Sequence, residues 1–90
     1  MNEDRRNALS KLISELEEIK SKLDDAKSTL ETLKDEEQEY FDNMPENMQD
    51  GDKGRAAEQA ISAMDDAING FEQAIGELDD VVGSVETAKE

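Results

Sequence analysis

Apolar residues in this chain return in alternating steps of three and four, and they do so twice, on either side of a single proline. Leu9, Leu12, Leu16, Ile19, Leu23, Ala26, Leu30 and Leu33 keep the step, which carries on through Glu37 to Tyr40. It resumes at Ala57 and runs through Ala60, Met64, Ala67, Phe71, Ala74, Leu78, Val81, Val85 and Ala88. This spacing gathers side chains on one face of an α-helix, whereas a strand would scatter them over both of its faces. Between the runs lies DNMPENMQDGDKG, Asp42 to Gly54, where the period stops. Pro45 has no amide hydrogen and would collide with the preceding helical turn, so the first helix must end before it. The fold expected is all-α: a long antiparallel, coiled-coil-like helical hairpin forming one domain, 1–90. Its parts are a helix over about 3–40, a capped linker with a short helical turn over about 42–54, and a helix over about 55–88.

Local signals mark the ends of these elements. Asn2, followed by Glu3 and Asp4, has the form of an N-cap with acids in the first turn. Asn43 and Glu46 are spaced as a capping box, which predicts Asn43 as the cap of the short turn. Asp50 or Asp52 is expected to cap the second long helix. Tyr40, Phe41, Met44 and Met48 are expected to plug the adjoining end of the helix pair, with an exposed, methionine-bearing binding tip as the competing reading. The acids and glycines of this segment do not make a calcium loop. Counting from Asp50, the position that needs a bidentate glutamate holds Ile61.

In heptad letters, the first helix carries Leu9, Leu16, Leu23 and Leu30 at a, and Leu12, Ile19, Ala26 and Leu33 at d. Lys20, Lys27 and Lys34 follow Ile13 at e, where they read as a solvated flank with i,i+4 pairs to Asp24 and Glu31. The second helix is wider. Its d column is small (Ala60, Ala67, Ala74, then Val81), and an e column of Ile61, Ile68, Ile75 and Val82 joins it. Folding at the joint is expected to set Leu33 near Ile61, Leu23 and Ala26 near Phe71, and Leu12 near Val82 to Val85. A narrow first helix would then leave the column Ile61, Ile68, Ile75 and Val82 open as a dimerisation or partner stripe. A homodimer forming a four-helix bundle is the simplest way to cover it, with a different protein partner as the competitor.

The formal net charge is −15, and the chain contains neither cysteine nor histidine. Nucleophilic relays and thiolate or imidazole metal sites are thereby excluded, and no catalytic, metal or cofactor-binding residue is expected. The acids are unevenly placed. Glu58, Asp65, Glu72, Asp79 and Glu86 recur at b, joined by Asp66 and Asp80 at c, and no base lies between Arg55 and Lys89. This carboxylate ridge has two readings. It can serve only solubility on the outside of an assembly coiled coil. It can also imitate a nucleic-acid backbone toward a basic host protein that handles nucleic acid. Direct contact with nucleic acid or anionic lipid is disfavoured, because both would repel the chain. No apolar run is long enough for a membrane span, and MNEDRRNALS lacks the apolar core of a signal peptide, so a cytoplasmic location is expected.

The run EEQEYFDNMPENMQ, Glu36 to Gln49, resembles the centre of a family of small acidic helix–linker–helix proteins from Gram-positive bacteria and their phages. That family carries a DNMPENLQ-type motif, and here Met48 stands where leucine is usual. The resemblance covers the joint closely and the flanking helices only in general pattern. It implies an accessory protein of a phage or mobile element, acting in the host cytoplasm on a host factor. It assigns no catalytic or binding residue.

Overall fold

The computed structural model describes all 90 residues. Three helices follow in order: α1 over Glu3–Asp42, α2 over Glu46–Gln49 and α3 over Asp52–Lys89. α1 and α3 lie antiparallel, and the molecule is a rod of 69 × 14 × 13 Å. Its radius of gyration is 20.2 Å, against about 12 Å for a compact domain of this length. No helix is long and apolar enough to cross a membrane.

α1 starts as the sequence indicates: the Arg5 backbone N–H donates to Asn2 Oδ1 at 2.8 Å. The joint is built differently. Asn43 closes α1 as its C-cap, with its own backbone N–H donating to the Glu39 carbonyl at 3.0 Å. Pro45 then occupies the N-cap of α2, where no side chain caps the turn. Asp50 is the C-cap of α2, and Gly51 rather than an aspartate precedes α3. The expected aspartate caps are therefore corrected. Asp52 sits inside the first turn of α3, where its charge favours the helix N-terminus without a capping bond.

Two side chains tie the joint. Gln49 Nε2 donates to the carbonyls of Phe41 and Met44, at 3.1 and 3.3 Å, fastening α2 to the last turn of α1 and to the linker. Arg55 reaches back to the Asp50 carbonyl, its Nη2 at 3.0 Å. Gly54 is buried, and a Cβ there would run into the backbone of Gln49, so α3 can cross the linker this closely only at a glycine. Of the expected plug, Met44 is buried and Phe41 half-buried, but Tyr40 and Met48 remain exposed. At the opposite end Arg6 Nη2 donates to the backbone carbonyl of Glu90 at 3.2 Å, joining the two termini.

The seam between α1 and α3 is rotated from the expected one. Apart from Ser10 near its start, the sheltered positions on α1 are Leu9, Ile13, Leu16, Lys20, Leu23, Lys27, Leu30, Lys34, Glu37 and Phe41, which are columns a and e. On α3, columns a and e again turn inward, and Ile68 and Val82 are among the most buried residues of the chain at 8% and 6% exposure. Ile61 and Ile75 are half-buried. The expectation of an open stripe at Ile61, Ile68, Ile75 and Val82 is thus corrected: this column forms the floor of the hairpin. The physical reason is hydrocarbon content. Isoleucine and valine at e remove far more apolar surface from water than alanine at d. Phe71 shares a cleft with Leu23 as expected, while Ala26 is exposed.

Candidate functional site

At about 100° per residue, columns b and d lie on opposite sides of a seam centred between a and e. Because the helices run antiparallel, like-lettered columns of α1 and α3 fall on the same side. The hairpin therefore has two long faces of different chemistry.

On the b side the e lysines of α1 reach across to α3. Lys20 Nζ meets Asp79 Oδ1 at 2.5 Å, Lys27 Nζ meets Glu72 Oε1 at 3.3 Å, and Lys34 Nζ meets Asp65 Oδ1 at 2.5 Å. Each step of seven forward in α1 is matched by seven backward in α3, so three heptads give three rungs. The hydrogen bond that Lys20 donates to Asp79 raises the pKa of Lys20, helped by the nearby charges of Asp79, Glu17 and Asp24. The hydrogen bond that Lys34 donates to Asp65 does the same for Lys34. These ammonium groups belong to a charge ladder and not to the i,i+4 pairs expected within α1.

The ladder divides the expected carboxylate ridge. Asp65, Glu72 and Asp79 have lysine partners, whereas Glu58, Asp66, Asp80 and Glu86 are exposed and make no ion pair. The ladder could have been read from the sequence, since Lys20, Lys27, Lys34 and the b acids share one period and an antiparallel fold must bring them level. The missing element was the rotation of the seam, which decides whether e points toward α3. No group of three or more carboxylates converges in a way that could hold a metal ion.

The d side is apolar and uncovered. Leu12, Ile19, Leu33 and Tyr40 of α1 stand on it with 40%, 48%, 48% and 50% exposure, and Val81 of α3 with 46%. Around them α3 is low: Ala67 and Ala74 at d and Gly70 at g border a cleft that opens down to Leu23 and Phe71. Farther along, Leu33 and Met64 line a second opening beside Glu36 and Glu37. Both are shallow and open along the rod, unlike the enclosed pockets that hold small ligands.

No known protein family, curated protein or solved structure matches the chain. Any functional reading rests on these two faces. One is a self-neutralising ladder edged by four free carboxylates, and the other is an apolar groove with a bulky wall and a small one.

Proposed function

We propose that this protein is a non-enzymatic assembly element, a helical hairpin that acts by associating with protein through its d face. The observation that carries this reading is the alignment of Leu12, Ile19, Leu33, Tyr40 and Val81, all substantially exposed, along one side of a rod with almost no fully enclosed side chains. Apolar stripes of this length mark association surfaces, since each residue loses water contact only when another chain arrives. On this reading the acidic exterior keeps a sticky rod soluble and dispersed.

A second reading is supported by the four free carboxylates Glu58, Asp66, Asp80 and Glu86 together with the net charge of −15. Here a phage or mobile-element accessory factor binds a basic host protein by imitating a nucleic-acid backbone. The lysine rungs weaken this reading, because they neutralise the middle of the ridge with the protein's own bases. Cross-linking in the producing cell separates the two. Adducts that vanish with Leu33→Glu but survive neutralisation of Glu58, Asp66, Asp80 and Glu86 fit assembly through the apolar face. Adducts with the opposite dependence overturn it in favour of the basic partner.

A further inference from the structure

The d face has a built-in complement, and we propose that its occupant is the same face of a second copy, with α1 of each protomer lying on α3 of the other. This deepens the assembly reading and rests on it. The first argument is relief. α1 presents a row of large knobs, Leu12, Ile19, Leu33 and Tyr40, while α3 presents mostly small residues on the same side, Ala60, Ala67 and Ala74 with Gly70 beside them. A two-fold axis running along the rod turns one hairpin over onto the other, which sets α1 above α3 at unchanged height. Large then meets small where Leu33 and Tyr40 lie over the alanines of α3, the arrangement that fills a core without voids. An axis across the rod would instead lay α1 on α1 and α3 on α3, with bulk against bulk and alanine against alanine.

The lysine rungs supply the register for this packing. Lys20 lies level with Asp79, Lys27 with Glu72 and Lys34 with Asp65. An axis along the rod preserves heights, so the same arithmetic applies between copies. Leu33 falls over the hole between Ala63 and Ala67 of the second copy, Tyr40 between Ala56 and Ala60, and Ile19 beside Val81. The flanking g positions follow the same rule. Lys22, which makes no ion pair within the protomer, comes level with Glu77 of the second copy, also unpaired. Glu15 comes level with Ser84 and Glu36 with Ala63, so no like charges are opposed along this edge. Two rods of charge −15 can therefore meet here while their ladders and free carboxylates point away.

Area is sufficient. The protomer exposes 6402 Å², about 1,200 Å² more than the roughly 5,200 Å² typical of a folded monomer of 10.0 kDa. A face 69 Å long and 14 Å wide can supply the roughly 800 Å² per partner of a standard stable interface. The product is an antiparallel four-helix bundle whose buried layers are a and d, while e stays within each hairpin.

The chain has no cysteine, so single cysteines report geometry directly. Leu33→Cys and Ala67→Cys variants, mixed and oxidised, are expected to give a disulfide-linked heterodimer, while each alone remains uncross-linked. Sedimentation of the wild type should give twice the monomer mass, and Ile19→Glu should halve it with helical circular dichroism unchanged. A monomeric wild type at high concentration overturns the second copy as occupant, while cellular adducts to another protein through Leu33 would still stand for the assembly reading. A dimer that survives Ile19→Glu, or Leu33→Cys pairing with itself, overturns the proposed face and axis.

Discussion

On the b side of the seam the hairpin satisfies itself, because Lys20, Lys27 and Lys34 span to carboxylates of α3 and their stems cover the apolar floor. On the d side nothing of the chain covers Leu12, Ile19, Leu33, Tyr40 and Val81. Both sides flank the same two helices and share the same seven-residue period. The difference shows that an amphipathic helix with a three-column apolar face does not specify its partner by periodicity alone. Two columns go to the partner in the same chain, and the third is left uncovered. Exposed charge pairs of this kind add little stability, so the ladder chiefly sets register and rotation, while hydrocarbon supplies the folding free energy.

Substitution at the shared floor should have the largest effect. Ile68→Ala is expected to cost about 2–3 kcal/mol in denaturant unfolding, because Ile68 is buried within the protomer. A loss of oligomer with protomer stability intact would return Ile68 to an outer stripe and reverse the two sides. Next comes the joint that holds both faces in register. Gly54→Ala is expected to cost on the order of 1–3 kcal/mol, since its Cβ would meet the Gln49 backbone. Unfolding at unchanged midpoint would mean that α3 does not cross the linker so closely.

The two faces themselves should respond in opposite ways. Leu33→Gln on the d side is expected to change the stability of the isolated protomer by no more than about 0.5 kcal/mol, since Leu33 is 48% exposed there. Measured at concentrations low enough to dissociate any complex, a larger loss would show that the face is already covered within one chain. Lys20→Gln on the b side should lower the thermal midpoint slightly at low salt and not at all in molar salt. An equal loss in both salts would make Lys20 a packing residue and not a rung.

A smaller effect comes from pH. Lys20 and Lys34 hold their protons more tightly folded than unfolded, because each donates to a carboxylate in the ladder. Their contribution is therefore fully present below the ordinary lysine value of 10.5 and is lost as pH rises through the raised folded value. Unfolding midpoints should fall on the alkaline side of 10.5, and the fall should be smaller in Lys20→Gln. An identical alkaline profile in the variant would detach the lysine titration from the ladder.

The helices, their order and their antiparallel arrangement were legible in the sequence, because they follow from local rules: the three-four step, the cap at Asn2 and the interruption at Pro45. The joint was legible only in outline. Asn43 scores well as an N-cap in isolation, yet the chain uses it to end α1. Gly54 and Gln49 gave no local signal, since their roles depend on backbone that meets only after the turn is made. The ridge was legible as a row of acids but not as a half-neutralised one.

Composition and period alone therefore determined that this chain makes two long helices, that they bend back at one place, and that their outer surface is acidic. Which two of the three apolar columns close the hairpin was decided only in the tertiary structure. A helix can rotate about its own axis at little local cost, so nothing within α3 chooses between d and e. The choice falls when both helices are present: burying Ile68 and Val82 removes more hydrocarbon from water than burying alanines, and the α1 lysines then face Asp65, Glu72 and Asp79. That single rotation turns the isoleucine column into core, turns the solvated lysines into rungs, and leaves Leu12, Ile19, Leu33 and Tyr40 facing outward.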